Sequence, residues 1–105
     1  MIVHICQLGA WQAAQARGEY CQPSLDDEGF IHCSKPEQVL HVAKRFYRDV
    51  PDLILLWIDT EKVRPEIRWE EADGEVFPHI YGALNTDAVV SVSELGPGMD
   101  LNPPF

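Results

Sequence analysis

The chain has 105 residues, 46% hydrophobic and 24% charged, which is enough for one compact domain and excludes both a two-domain layout and wholesale disorder. Acidic residues outnumber basic ones 17 to 8, a formal net charge of −9, which excludes non-specific binding of phosphate backbones through a basic surface. A pocket for a single nucleotide stays compatible with that charge, because a local site need not share the sign of the surface.

Met1 to Cys6 is apolar and reads as a strand entering the core. The opening Met1-Ile2-Val3-His4-Ile5 has neither a basic region nor a cleavage site, so no signal peptide is expected. Gly9 to Arg17 is rich in Ala and Gln and reads as a short helix, with Trp11 and Ala14 on one side and Gly18 at its left-handed end. Glu19 to Glu28 carries Pro23, Ser24, Asp26 and Asp27, which is loop chemistry, and Gly29 to Cys33 is again a strand.

The next signal is a helix start. Ser34-Lys35-Pro36-Glu37 offers a capping serine, a proline in the first turn and a glutamate three residues after the cap. Val39, Leu40, Val42, Ala43, Phe46 and Tyr47 then repeat at helical spacing, predicting a helix over about Lys35 to Arg48 that Pro51 stops. Leu53 to Ile58 is an unbroken apolar strand, expected to be central and covered on both faces. It is also the longest apolar run, far short of the roughly 18 residues of a membrane span, so no membrane partner is expected.

Ile67 to Glu70 alternates as a half-buried strand, Asp73-Gly74 is a turn, and Phe77 to Gly82 leads into a further strand. Ala88 to Leu95 reads as the last strand, with Ser91 and Ser93 on one face. The residues thus divide into one domain over 1–95 and an irregular Pro/Gly-containing tail over 96–105. Strands dominate and both main helices lie in the N-terminal half, a pattern of the α+β class with a small, mostly antiparallel sheet. Cys6, Cys21 and Cys33 are odd in number and form no CxxC pair, which fits reduced thiols and a cytoplasmic protein.

Three of the four histidines sit in the same setting: Val3-His4-Ile5, Ile31-His32-Cys33 and Pro78-His79-Ile80 each place an imidazole between apolar neighbours in an extended segment. Strand alternation turns His4 and His32 away from those neighbours, so a shared cleft is one reading and hydrogen-bonded core histidines are the other. Imidazoles suit ligand hydrogen bonding and acid–base work, which require convergence in space but no sequence spacing. A metal site would draw on three separate elements, since no HxH or HxxxH pair occurs, and no metal ligand is assigned.

Ser34 reads as a helix cap, and the same geometry would leave helix N–H groups beside His32 as an anion site. Cys33 is expected to be buried and inert, because it alternates against His32. In Phe77-Pro78-His79-Ile80-Tyr81-Gly82, His79 and Tyr81 share a face and Gly82 permits close approach, which suits a ligand wall or equally an edge strand. Arg68 and Glu70 share the polar side of their strand, either as a solvated face or, for Glu70, as a catalytic carboxylate. The Walker, GxGxxG, GxSxG and zinc-finger patterns are absent.

Together, His4, Pro23-Ser24-Leu25, Glu28-Gly29-Phe30-Ile31-His32-Cys33-Ser34, Arg45-Phe46-Tyr47, Trp69-Glu70 and Phe77-Pro78-His79-Ile80-Tyr81-Gly82 resemble the domain-of-unknown-function 952 family, over roughly Ile2 to Leu95. That family is in turn similar to the ADP-ribosyltransferase-like superfamily. The resemblance implies a split sheet with flanking helices and NAD in the cleft between its halves. It implies a cofactor-binding set of His4, Ser34 and Tyr81, with His4 on the nicotinamide ribose. His32 and His79 are implied as catalytic, and Glu70 is a weaker match to a late-strand glutamate. The sequence departs from the superfamily where His4-Ile5-Cys6 replaces the usual histidine–glycine–threonine or serine. The expected function is binding of NAD or a related nucleotide-like small molecule, with transfer of a ribosyl or phosphoryl group. The alternatives are a non-catalytic binding module and a three-histidine metal site.

Overall fold

The computed structural model describes residues 1–95, and the tail expected over 96–105 lies outside the described residues. In chain order the elements are β1 (Ile2–Gln7), α1 (Leu8–Arg17), β2 (Glu19–Tyr20), α2 (Ser24–Asp27), β3 (Ile31–His32), α3 (Val39–Phe46), β4 (Leu53–Ile58), β5 (Glu66–Ala72), β6 (Glu75–Tyr81), β7 (Leu84–Asn85) and β8 (Val89–Glu94). Every strand pairing is antiparallel, in the orders β1-β4-β8, β2-β7 and β3-β6-β5. The α+β expectation therefore holds, with a third, one-turn helix, α2, inside the segment expected to be loop.

The two three-stranded sheets meet at a narrow seam. Just beyond β3, the Ser34 N–H donates to the Val3 carbonyl (2.8 Å) and the Val3 N–H donates to the Ser34 carbonyl (2.9 Å). The segment around β3 thus borders β6 at Ile31 and His32 and β1 at Ser34.

β4 explains the core. Leu53, Leu55 and Trp57 pack with Val3, Ile5, Val39 and Ala43 under α3, while Ile54, Leu56 and Ile58 pack with Ile2, Cys6, Trp11 and Ala14 under α1. A strand covered on both faces loses the alternation of a half-exposed one, and each fully buried Leu or Ile contributes about 1.5–3 kcal/mol. The same double cover overturns the expectation for β1: with both faces buried, His4 has no open side and is 1% exposed.

Helix α3 begins later than the sequence predicts, at Val39, and Ser34 does not cap it. The Ser34 backbone is committed to β1, so the chain turns through residues 35–38 first. There the Lys35 N–H donates to Gln38 Oε1 (2.9 Å) and the Gln38 N–H donates to the Lys35 carbonyl (2.9 Å). Gln38 also donates from Nε2 to the Val76 carbonyl (3.0 Å), tying α3 to β6. At the expected anion site beside His32, the Ser34, Lys35 and Gln38 N–H groups are thus taken by the protein's own acceptors.

The α1 terminus is as predicted: Gly18 has φ +85° and its N–H returns to the Ala14 carbonyl (2.8 Å). Asp73 and Gly74, at φ +52° and +80°, make the two-residue turn between β5 and β6, a conformation that matches strand twist. Gly82 does allow a close approach, but to Pro65 and not to a ligand; a Cβ there would stand 3.1 Å from the Pro65 Cβ.

Candidate functional site

The two-residue turn at Asp73-Gly74 fixes the β5–β6 register, placing Arg68 opposite His79 and Glu70 opposite Phe77. Directly opposed residues share a face, so Arg68, Glu70, Phe77, His79 and Tyr81 look to the same side. β3 adds His32, paired with His79. The opposite face carries Ile67, Ile80 and Ile31 toward the core, and beyond them Trp69, which is 52% exposed.

The polar face forms one wall of a cleft of about 720 Å³. Val3, Ile5, Cys33 and Ser34 line it from β1 and the β3 segment, and α3 closes the far side with Val42, Phe46 and Tyr47. One end is bridged by Gln38 to Val76, by His41 Nε2 to Glu75 (3.0 Å) and by Arg45 to Asp73 (3.6 Å).

Glu70 is the hub of the polar wall. Its Oε1 accepts from His79 Nδ1 (2.9 Å) and from the Tyr81 hydroxyl. The Tyr81 hydrogen bond, and after it the one from His79, hold the Glu70 carboxyl below its ordinary value; the same bond to Glu70 pushes the Tyr81 phenol up. The carboxylate therefore stays ionised, with its side chain 39% exposed. Arg68 stacks over the Tyr81 ring at 4.2 Å and donates from Nε to Glu66 (2.5 Å).

His79 is 8% exposed along its side chain, and Phe30 stacks on it at 4.1 Å with an 18° interplanar angle. Because Nδ1 donates to Glu70, Nε2 is the lone-pair nitrogen of the neutral ring. It has no protein partner among the described residues, where no fully buried side-chain nitrogen or oxygen is left without one, so Nε2 opens into the cleft. His32 lies edge-on to His79 at 5.4 Å and donates from Nε2 to Glu28 (2.6 Å). The loop before β3 sets this geometry. Gly29 at φ +89° ends α2, Ser24 donates to the Phe30 carbonyl (2.6 Å), and the His32 N–H donates to Gln22 Oε1 (2.9 Å).

His4 has a different place. It sits in the core, with Nδ1 2.5 Å from the His32 carbonyl and Nε2 2.8 Å from the Tyr20 hydroxyl. A carbonyl only accepts, so the proton is on Nδ1 and the tyrosine donates to Nε2. Burial lowers its pKa from 6.5 to about 4, and the ring is neutral at pH 7. The cleft thus unites two of the three expected histidines, and His4 holds the backbone beneath one of them.

Ser34 lines the cleft, and its hydroxyl makes no hydrogen bond among the described residues. Tyr81 acts beside the wall, through Glu70. Cys33 is buried as expected, and burial pushes its thiol up; Cys6 is likewise pushed up to about 11. His4, His32 and His79 do not converge on one point, and no group of three His, Cys, Asp or Glu side chains among the described residues could hold a metal. The three-histidine metal site is thereby corrected. Among these residues no helix is long and apolar enough to cross a membrane.

Sequence reasoning left Glu70 undecided and missed Glu28 and Phe30. The turn at Asp73-Gly74 carried the signal for Glu70, since it dictates which β5 residues face His79. Glu28 and Phe30 gave no periodic signal, because a loop glycine aims them.

Solved structures of protein CC0527 from Caulobacter crescentus are similar to this chain. The crystal structure matches with a TM-score of 0.81 at 30% identity, covering 89% of this chain and 83% of that one. The solution structure of the same protein matches with a TM-score of 0.75 at 30% identity, covering 89% and 82%. Among curated proteins, none matches. The model of the family described as "protein of unknown function (DUF952)" matches residues 5–92, so nearly all of the cleft lies within it, and the chain belongs to the DUF952 family.

Proposed function

We propose that the cleft is an ADP-ribosyltransferase-like site that binds the nicotinamide-ribosyl end of NAD, or of a related nucleotide, and transfers its ribosyl group. The observation that carries this reading is Glu70: an ionised carboxylate on the cleft wall, held by His79 and Tyr81 beside a stacked aromatic pair. Cleavage of a ribosyl–pyridinium bond develops positive charge on the sugar, and a fixed carboxylate facing C1′ stabilises it. The C1′–N bond breaks with its electron pair leaving on nicotinamide. A water or hydroxyl acceptor then bonds to C1′ and gives its proton to His79 Nε2. His32 with Glu28 is a second acid–base pair at the same wall, and Ser34 is a free hydroxyl for the ribose.

Charge favours ribosyl over phosphoryl transfer. Glu28, Glu70 and Asp73 line the cleft, Glu71 turning to the opposite face of β5, and among the described residues no lysine or arginine does. His4 takes a positioning role in this scheme, through the His32 carbonyl, in place of direct contact with the ribose.

The test is an NMR titration of the labelled protein with NAD, followed over hours for free nicotinamide. Shifts at His32, Glu70 and His79 with nicotinamide release, lost roughly 100-fold or more in Glu70→Gln, are expected on the scale of acid–base and electrostatic groups. Shifts without release would make the protein a binding module, and no shifts at millimolar NAD would sink the proposal.

A further inference from the structure

Resting on the ribosyl reading above, we infer that the ligand the cleft is built to take is a phosphate-free nucleoside with a positively charged base, in preference to a nucleotide or dinucleotide. The cleft's wall charges are the first reason. Three carboxylates, Glu28, Glu70 and Asp73, line it and among the described residues no lysine or arginine does, so a pyridinium ring is attracted where a phosphate is repelled.

The flanking arginines do not reverse this. Arg45 is committed to Asp73, and Arg68 to Glu66 with its plane on Tyr81.

Backbone donors are the usual substitute for cations around phosphates, and three beside the cleft floor are taken. The N–H groups of Ser34, Lys35 and Gln38, which stand between the cleft floor and α3, go to the Val3 carbonyl, Gln38 Oε1 and the Lys35 carbonyl. What remains suits a nucleoside. Phe30 and Phe46 offer aromatic surface, and the Ser34 hydroxyl and His79 Nε2 offer hydrogen bonds to a sugar. The volume of about 720 Å³ is within the usual range of small-molecule sites.

The experiment is calorimetric titration of the full chain at fixed ionic strength with nicotinamide riboside, its 5′-monophosphate and NAD. The riboside is expected to bind at least tenfold more tightly than either phosphorylated compound. In Glu28→Gln/Asp73→Asn, which removes two wall charges, that ratio should narrow to threefold or less. Equal or tighter binding of the monophosphate or NAD would overturn the inference and leave the ribosyl reading standing. Failure of all three to bind at millimolar concentration would overturn both.

Discussion

His4 and His79 occupy near-identical sequence settings and opposite physical ones. Each is buried and sits in a strand, yet His4 spends both ring nitrogens on the protein and His79, bonded through Nδ1 to Glu70, keeps one open to the cleft. What differs is the element laid over each strand. Tyr20 from β2 and the α1 residues Trp11 and Ala14 seal the His4 side of β1, whereas the His79 side of β6 faces a gap that α3 spans only at its end. Function in this fold is decided by what a neighbouring element leaves uncovered.

The largest effect should come from breaking the sealed side. His4→Ala leaves the His32 carbonyl and the Tyr20 hydroxyl without partners and opens a hole in the core. It should destabilise the domain by about 3 kcal/mol, lowering Tm by roughly 12 °C or more. His32→Ala, on the half-exposed side, should stay within about 0.5 kcal/mol of the parent in the same urea titration. Similar losses for the two variants would erase the contrast between the regions.

Acid should act on the same side. His4 is held near pKa 4 in the folded protein against 6.5 in a free chain, so between these values the unfolded state binds the extra proton. Stability from this residue is complete above pH 6.5 and falls as the pH is lowered toward 4, by about 3 kcal/mol in all. Unfolding midpoints measured at pH 7 and 4.5 will show it, and a ring protonated at pH 5.5 by NMR would contradict a sealed His4.

A smaller difference separates two residues at the start of α3. Gln38→Ala removes the acceptor for the Lys35 N–H and the donor to Val76, and should destabilise by about 1–2 kcal/mol. Ser34→Ala should change stability by less than about 0.5 kcal/mol, since its hydroxyl caps nothing. Equilibrium unfolding of both variants, with the order reversed, would restore Ser34 as the cap.

These contrasts show what the residues alone could and could not convey. β4, α1 with Gly18, the Asp73-Gly74 turn and the apolar stripe of α3 were readable because local periodicity and turn chemistry determine them. Ser34 misled because its backbone is claimed by Val3, 31 residues earlier, before any helix can use it. His4 was expected to look outward because alternation tells which face a side chain takes, but not whether a second layer covers that face. In β8 the expectation was met, although it did not say which way the face turns. Ser91 and Ser93 do share a face, and it is the inner one, where Ser93 accepts from Trp57 Nε1 (2.9 Å), while Val90 and Val92 are exposed.

The seam between β1 and the β3 segment gives the domain a mechanical character. Two backbone hydrogen bonds, Val3 to Ser34 and back, form the ladder between the halves that carry the cleft floor and the cleft wall. A ligand wedged against Glu70 and α3 would load that joint directly, and the His4–His32 link, one residue from Val3 and two from Ser34, lies in parallel with it like a second rivet. Amide exchange at Val3 and Ser34 is therefore a gauge of strain across the cleft, readable whatever the cleft binds.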